Sequence, residues 1–286
     1  RGVFIVTGKI PIAKTYKLFI DGAFPRSESG RTFSVNNPEG ELIANVSQAS
    51  RKDFREAVRA ARAAQLSWAS RTAYNRGQIL YRVAEMLESR KIEFVELLKS
   101  IGVNSRSATR EVEDSIQRWV WYAGWSDKYS QVLGSVNPVS GPYFNFTVPE
   151  PTGVVGIIAP TEPSMLGLIS RLVPAIVSGN TVVVVSEGQS SLTSVTIGEV
   201  LATSDVPAGV VNILTGDQKD LLPWMVGHLD VNAVDISGIS PETDLTLLEE
   251  TASNVKRVVS RQVNEESLEL ISDFLEMKTV WHPIGR

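Results

Sequence analysis

Residues able to do covalent or metal chemistry are scarce in this chain. There is no cysteine among its 286 residues and there are two histidines, which excludes thiolate nucleophiles, disulfides and zinc–thiolate centres. His228 and His282 stand too far apart in sequence to read as a local metal pair. No His-Glu-x-x-His, P-loop or Gly-x-Ser-x-Gly pattern is present. His228 stands just ahead of a predicted strand, where a structural surface role is the simpler reading. Glu111, Glu113 and Asp114 bring three carboxylates together, but their spacing reads as a solvated helix start and not as a metal site. Trp119, Trp121, Tyr122 and Trp125 could stack on a nucleotide base; their helical spacing reads as packing. No catalytic residue and no metal ligand is assigned on these grounds.

The chain does contain elements built to position a ligand. Residues 153–160, Gly-Val-Val-Gly-Ile-Ile-Ala-Pro, form a β-rich run that passes through Thr161-Glu162-Pro163 into a predicted helix over 166–177. Gly179-Asn180 turns the chain into 181–185, so rich in β-branched residues that it belongs in mid-sheet, covered on both faces. A helix over 191–201 leads through Val206-Pro207-Ala208-Gly209 into 210–214, and Thr215-Gly216 closes the unit. Strand, helix, strand, helix, strand predicts an α/β fold with a doubly wound parallel sheet. A fourth strand and turn follow at 231–238, then a helix over 243–252 and a further strand at 254–259.

Ahead of this unit, residues 1–15 read as an arm or linker remnant. Residues 16–24 form a hairpin around Asp21-Gly22, and turn residues at 28–30 and 36–40 frame a second short strand pair. Ser50 with Asp53 signals a capped helix over 50–68. Further helices are predicted over 75–98, with a break at 89–91, and over 111–130. A turn at 137–142 separates β segments 131–136 and 143–148. Residues 264–273 are a polar helix start, and 274–281 form a last strand.

A net charge of −4 with scattered basic residues gives no footprint for nucleic acid. Every apolar stretch is broken before it could span a bilayer, so no membrane association is expected. No secretory signal is visible, and a cytoplasmic location is expected. The chain starts on Arg1, so targeting information could lie outside it.

The residues that write the central unit closely resemble the cofactor domain of the aldehyde dehydrogenase superfamily. They are Gly-Val-Val-Gly-Ile-Ile with Ala-Pro, Pro174-Ala175, Gly179-Asn180-Thr181-Val182-Val183, and Pro207-Ala208-Gly209-Val210-Val211-Asn212 with Thr215-Gly216. The resemblance covers roughly residues 16–262 and 268–284. It implies a Rossmann-like cofactor domain over 16–130 and 150–262, and a small β oligomerisation arm over 131–149 and 264–286. The separate catalytic domain expected between them is absent. By the same resemblance the cofactor-binding positions are Pro160, Thr161, Glu187, Gly209 and Gly238.

The family's chemistry needs a cysteine thiolate, NAD or NADP, and a glutamate base, with an asparagine donor for the oxyanion. Here Pro-Trp-Asn reads Pro160-Thr161-Glu162, and the glutamate of Glu-Leu-Gly-Gly aligns with Arg261. The lysine and glutamate of Lys-Pro-Ser-Glu hold the adenosine ribose. Without a gap they meet Val185 and Gly188; one gap restores Ser186-Glu187, but the lysine is lost either way. Phe-Thr-Gly-Ser-x-x-x-Gly becomes Ile236-Ser237-Gly238-Ile239, with Thr243 at the second glycine. NAD binding is therefore expected to be weak or absent.

Glu162-Pro163, Leu166-Gly167 and Ser204-Asp205-Val206-Pro207 make the chain look most like the degenerate, non-catalytic second module of the two-module aldehyde dehydrogenases. That implies a pseudoenzyme inactive in isolation, working in assembly with itself as a homo-oligomer or with an aldehyde dehydrogenase catalytic module. The alternatives are an NAD(P)-dependent aldehyde oxidoreductase using an unrecognised nucleophile or a partner's site, and a nucleotide-sensing module with weak dinucleotide affinity.

Overall fold

A computed structural model describes residues 13–261 and 265–285; the expectations for residues 1–12, 262, 264 and 286 lie outside the described residues. The N-terminal strands β1 (Lys14–Tyr16), β2 (Thr32–Asn36) and β3 (Leu42–Ser47) form a three-stranded sheet in the order β1-β3-β2. Asp21 and Gly22 both take positive φ, 53° and 72°, as a tight two-residue turn between Ile20 and Ala23 requires. Four helices follow: α1 (Arg51–Ala69), α2 (Ala73–Ser89), α3 (Lys91–Ser100) and α4 (Ser105–Trp125). The Ser50–Asp53 capping box starts α1, and the break expected near 89–91 falls at Arg90. The third predicted helix begins earlier than residue 111 because the Asn104 side chain caps it, accepting from Ser107 N at 3.0 Å.

A short helix α5 (Tyr129–Leu133) precedes β4 (Ser135–Asn137) and β5 (Tyr143–Pro151). Of the β segment expected over 131–136, residues 131–133 are helical and only Ser135 and Val136 are in a strand. The Lys128 carbonyl accepts from Gln131 and Val132 and turns the chain once more before a strand can begin.

The central sheet is built from β6 (Val154–Ile158), α6 (Ser164–Val177), β7 (Thr181–Ser186), α7 (Ser190–Leu201), β8 (Val211–Thr215), α8 (Gln218–Gly227) and β9 (Ala233–Asp235). A 3-10 helix at Leu245–Glu249, a single turn α9 (Glu250–Ser253) and β10 (Arg257–Val259) complete it. All five strands are parallel, in the order β10-β9-β6-β7-β8. Every residue of β6, β7, β8 and β9 is buried, which explains why these strands read as apolar runs without alternation.

The two faces still divide by parity. Val155, Ile157, Val182 and Val184 pack with Leu168, Leu172, Ile176, Ile197 and Trp119 on one side. Val154, Ile158, Val183 and Val185 pack with Phe54, Val58, Leu222 and Met225 on the other. The sheet therefore lies between α1 and α8 on one face and α6 and α7 on the other. Trp119 and Tyr122 are wholly buried, and Trp121 contacts Tyr122 and Trp125, so the aromatic concentration is packing.

The predicted helix over 243–252 is replaced by the 3-10 helix and the turn α9. None of the 3-10 residues is fully buried, so no apolar face anchors a longer helix there. Eight residues of sequence separate β10 from α10 (Leu268–Ser272), too few for another domain, and β11 (Leu275–Pro283) follows α10. β11 pairs antiparallel with β5 along its whole length, from Leu275–Pro151 to Pro283–Tyr143, in a sheet ordered β11-β5-β4.

Candidate functional site

In an open α/β sheet the ligand crevice lies outside the carboxyl ends of the strands, where the strand order reverses. Here the chain runs from β6 through β7 to β8 in one direction and then crosses to β9 and β10 on the other side, so the crevice falls beyond β6 and β9. Pro160 and Thr161 leave β6 there, Glu187 leaves β7, and Gly238 sits in the turn after β9. Gly209 does not join them. It lies ahead of β8, at the opposite end of the sheet, with φ of 80° and its α-carbon against α1, where an added Cβ would come 2.6 Å from the Ala60 carbonyl. Its requirement for glycine belongs to packing and backbone shape; the sequence alone does not separate that requirement from close approach to a phosphate.

Gly238 has a packing reason as well. A Cβ there would lie 2.4 Å from the Ile158 carbonyl oxygen, Ala159 C and Pro160 N, so the β9 turn rests on the backbone leaving β6. The turn is fixed further by the buried Asp235, whose Oδ1 accepts from Ser237 N at 2.8 Å and whose pKa burial pushes up.

Gln218, missed in the sequence reading, is the polar residue that joins these exits. It is 3% exposed, at the first position of α8. Its backbone N–H donates to Glu187 Oε2 at 2.9 Å, its side-chain Nε2 donates to the Gly238 carbonyl at 3.0 Å, and its Oε1 accepts from Ser240 N at 3.0 Å. The sequence signal for it was slight: one amide after Asp217, just past the Thr215-Gly216 turn. Val185, where a gapless reading puts the ribose lysine, is a wholly buried strand residue. The helix start that would face a pyrophosphate is the 3-10 helix at Leu245–Glu249. Two groups at these exits, Glu187 Oε2 and the Gly238 carbonyl, are engaged by Gln218 of the chain itself and do not face a dinucleotide as free partners.

A cleft of about 430 Å³ opens beside Pro160 and is lined by Glu162, Arg118, Arg171, Ser237 and Arg261. It brings together the two positions, Glu162 and Arg261, where the resemblance calls for an oxyanion donor and a base. Arg261 cannot act as a base. Its guanidinium grips Asp273 through Nε at 2.6 Å and Nη2 at 2.9 Å, and Glu269 through Nη1 at 2.9 Å. Its backbone N–H donates to Ser237 Oγ at 3.1 Å. The pair joins the exit of β10 to α10, across the place where a further domain would be inserted.

Glu111 corrects the reading of a solvated helix start. It is 9% exposed, and its Oε1 accepts from Met165 N at 2.7 Å and Leu166 N at 3.2 Å. It thereby caps α6, which follows Pro163 and has no capping side chain of its own. Burial pushes its pKa up, the two backbone donors act against that, and the nearby Glu162 carboxylate adds to the rise. Glu113 and Asp114 are half-exposed and pair with Lys91 and Arg110. His228 accepts from Asp230 N at 3.1 Å and lies beside Phe54, a structural setting away from the crevice. Among the described residues no three His, Cys, Asp or Glu side chains converge as metal ligands.

Comparison with known proteins agrees with this architecture. The sequence profile described as the aldehyde dehydrogenase family matches residues 24–262. Omega-crystallin of Enteroctopus dofleini is 33% identical over 255 residues, covering 87% of this chain and 51% of that protein. Cytosolic aldehyde dehydrogenase 1 of Elephantulus edwardii is 36% identical over 250 residues, covering 85% and 49%. Among solved structures, HpcC from Thermus thermophilus superposes with a TM-score of 0.81 at 28% identity, covering 86% of this chain and 47% of that one. The NAD+ complex of an aldehyde dehydrogenase from Bacillus cereus gives 0.79 at 28% identity, covering 86% and 50%. The chain thus spans about half the length of the relatives it matches. With the profile matched over most of its length, the chain belongs to the aldehyde dehydrogenase family.

Proposed function

We propose that this chain is an assembly module of aldehyde dehydrogenase descent. In this reading it is a reduced, second-module type of copy that turns over no aldehyde alone and joins a second copy or an aldehyde dehydrogenase catalytic module in the cytoplasm. The observation that carries the reading is the β4-β5-β11 arm. β11 is an edge strand with eight of its nine residues exposed. The register puts Phe144, Phe146, Val148 and Val280 on one face, with Val136 opposite Phe146. Val136, Phe144, Val148 and Val280 are exposed, and a three-stranded sheet with an open edge and an apolar face is a template for another chain.

The absence of turnover rests on the cleft. It offers an exposed carboxylate at Glu162, a guanidinium locked to Asp273 and Glu269 at Arg261, and no thiol in the chain. Weak or absent dinucleotide binding rests on Gln218 and on the short 3-10 helix. The test is aldehyde-dependent reduction of NAD and NADP by the purified chain. No turnover is expected; a rate that persists through repurification and scales with the chain contradicts the reading.

A further inference from the structure

Gln218 ties together the chain exits of β7, β8 and β9 at the crevice end of the sheet, and we infer that this tie decides whether the fold admits an adenine nucleotide. The inference rests on the eroded-site reading above and deepens it, because beside the short 3-10 helix it names one side chain whose hydrogen bonds must be released before a nucleotide can enter.

Three features carry it. First, both polar ends of the Gln218 amide are satisfied inside the chain, on Gly238 O and Ser240 N, so the side chain is a tie between the start of α8 and the β9 turn. A turn held by two hydrogen bonds from a 3% exposed side chain does not yield to a ligand without leaving those groups unpaired. Second, the start of a helix of this length attracts an anion, and here the Glu187 carboxylate fills that role through Gln218 N–H. Third, Glu187 stays usable. Its Oε2 is held by the residue 218 backbone, which survives any substitution except proline, while Oε1 takes no hydrogen bond among the described residues. Removing the side chain leaves the carboxylate positioned, with an acceptor for a ribose hydroxyl, and frees the space and the turn beside it.

The experiment is calorimetry with AMP and with NAD on wild type, Gln218→Gly and Gln218→Ala, each first checked for folding by circular dichroism and a thermal melt. Alanine guards against a helix start loosened by glycine. Wild type is expected to give no saturable binding, and both variants at least about tenfold tighter association. Glu187→Ala in the Gln218→Ala background is expected to abolish the gain, which mere loosening of the fold would not predict. Folded variants that bind no tighter than wild type, or a gain that survives Glu187→Ala, overturn the inference while leaving the eroded-site reading intact. Low-micromolar binding of NAD by wild type overturns that reading and this inference with it.

Discussion

Glu111 and Arg261 are the residues whose roles in the structure differ most from what their neighbours in sequence suggest. One Glu111 oxygen receives both N–H groups at the start of α6, so Glu111→Gln keeps the acceptor, while Glu111→Ala leaves two donors unpaired and is expected to cost about 1–3 kcal/mol in a denaturant melt. Because burial raises the native pKa of Glu111 above that of the unfolded chain, the native state holds this proton longer. Its contribution to stability is complete below the unfolded carboxylate range and is lost as pH rises toward the raised native value. Thermal melts from about pH 4 to 7 should therefore show Glu111→Gln gaining on wild type with rising pH; a constant or shrinking difference would contradict the assignment. For Arg261, whose side chain is 39% exposed, solvent screening limits the ion pairs, and Arg261→Ala is expected to cost only about 1 kcal/mol. Arg261→Glu should cost more, by facing Asp273 and Glu269 with a like charge, and should restore no aldehyde oxidation. Neither role was legible in the sequence. Glu111 looked like one of three helix-start acids, and its cap partner lies 54 residues away. For Arg261 only the mismatch with a family motif was visible, since Asp273 and Glu269 reach it by folding alone.

The parallel strands and their helices were readable because burial on both faces demands unbroken β-branched runs, as in Thr181–Ser186. The short irregular elements were not. The helix α8 carries Pro223 and little amphipathic pattern, and the region after β9 has turn residues that suit either a helix or a single 3-10 turn. The glycines were seen, but the requirement behind each was hidden. Gly238→Ala drives a methyl into backbone at 2.4 Å and is expected to cost about 3 kcal/mol or more, whereas Gly40→Ala, with φ of 87° and nothing within 4 Å of the new Cβ, should cost about 1 kcal/mol for conformation alone. Equal losses in chemical denaturation would contradict the packing of the β9 turn on β6. Pro160, Thr161, Glu187 and Gly238 entered by resemblance to separate family motifs; what separates Gly209 from them in space is the direction of β8, which no local pattern states.

At the scale of the whole molecule, the cofactor-type sheet is covered on both faces, while the arm formed by β4, β5 and β11 presents exposed apolar side chains and an open edge. Under the proposed assembly role, this arm is the surface expected to hold another subunit. Light scattering coupled to size exclusion tests this most directly, with wild type and the Phe144→Asp/Val280→Asp variant each run alone and mixed with a complete aldehyde dehydrogenase. The two substitutions lie on the same exposed face of the arm, outside the core clusters. Wild type is predicted to travel as a particle heavier than its 31.2 kDa chain, as a homo-oligomer or in the mixed complex, and the variant to fall back to a single chain with an unchanged circular dichroism spectrum. A wild-type particle of 31.2 kDa under both conditions would contradict the claim that the arm assembles anything.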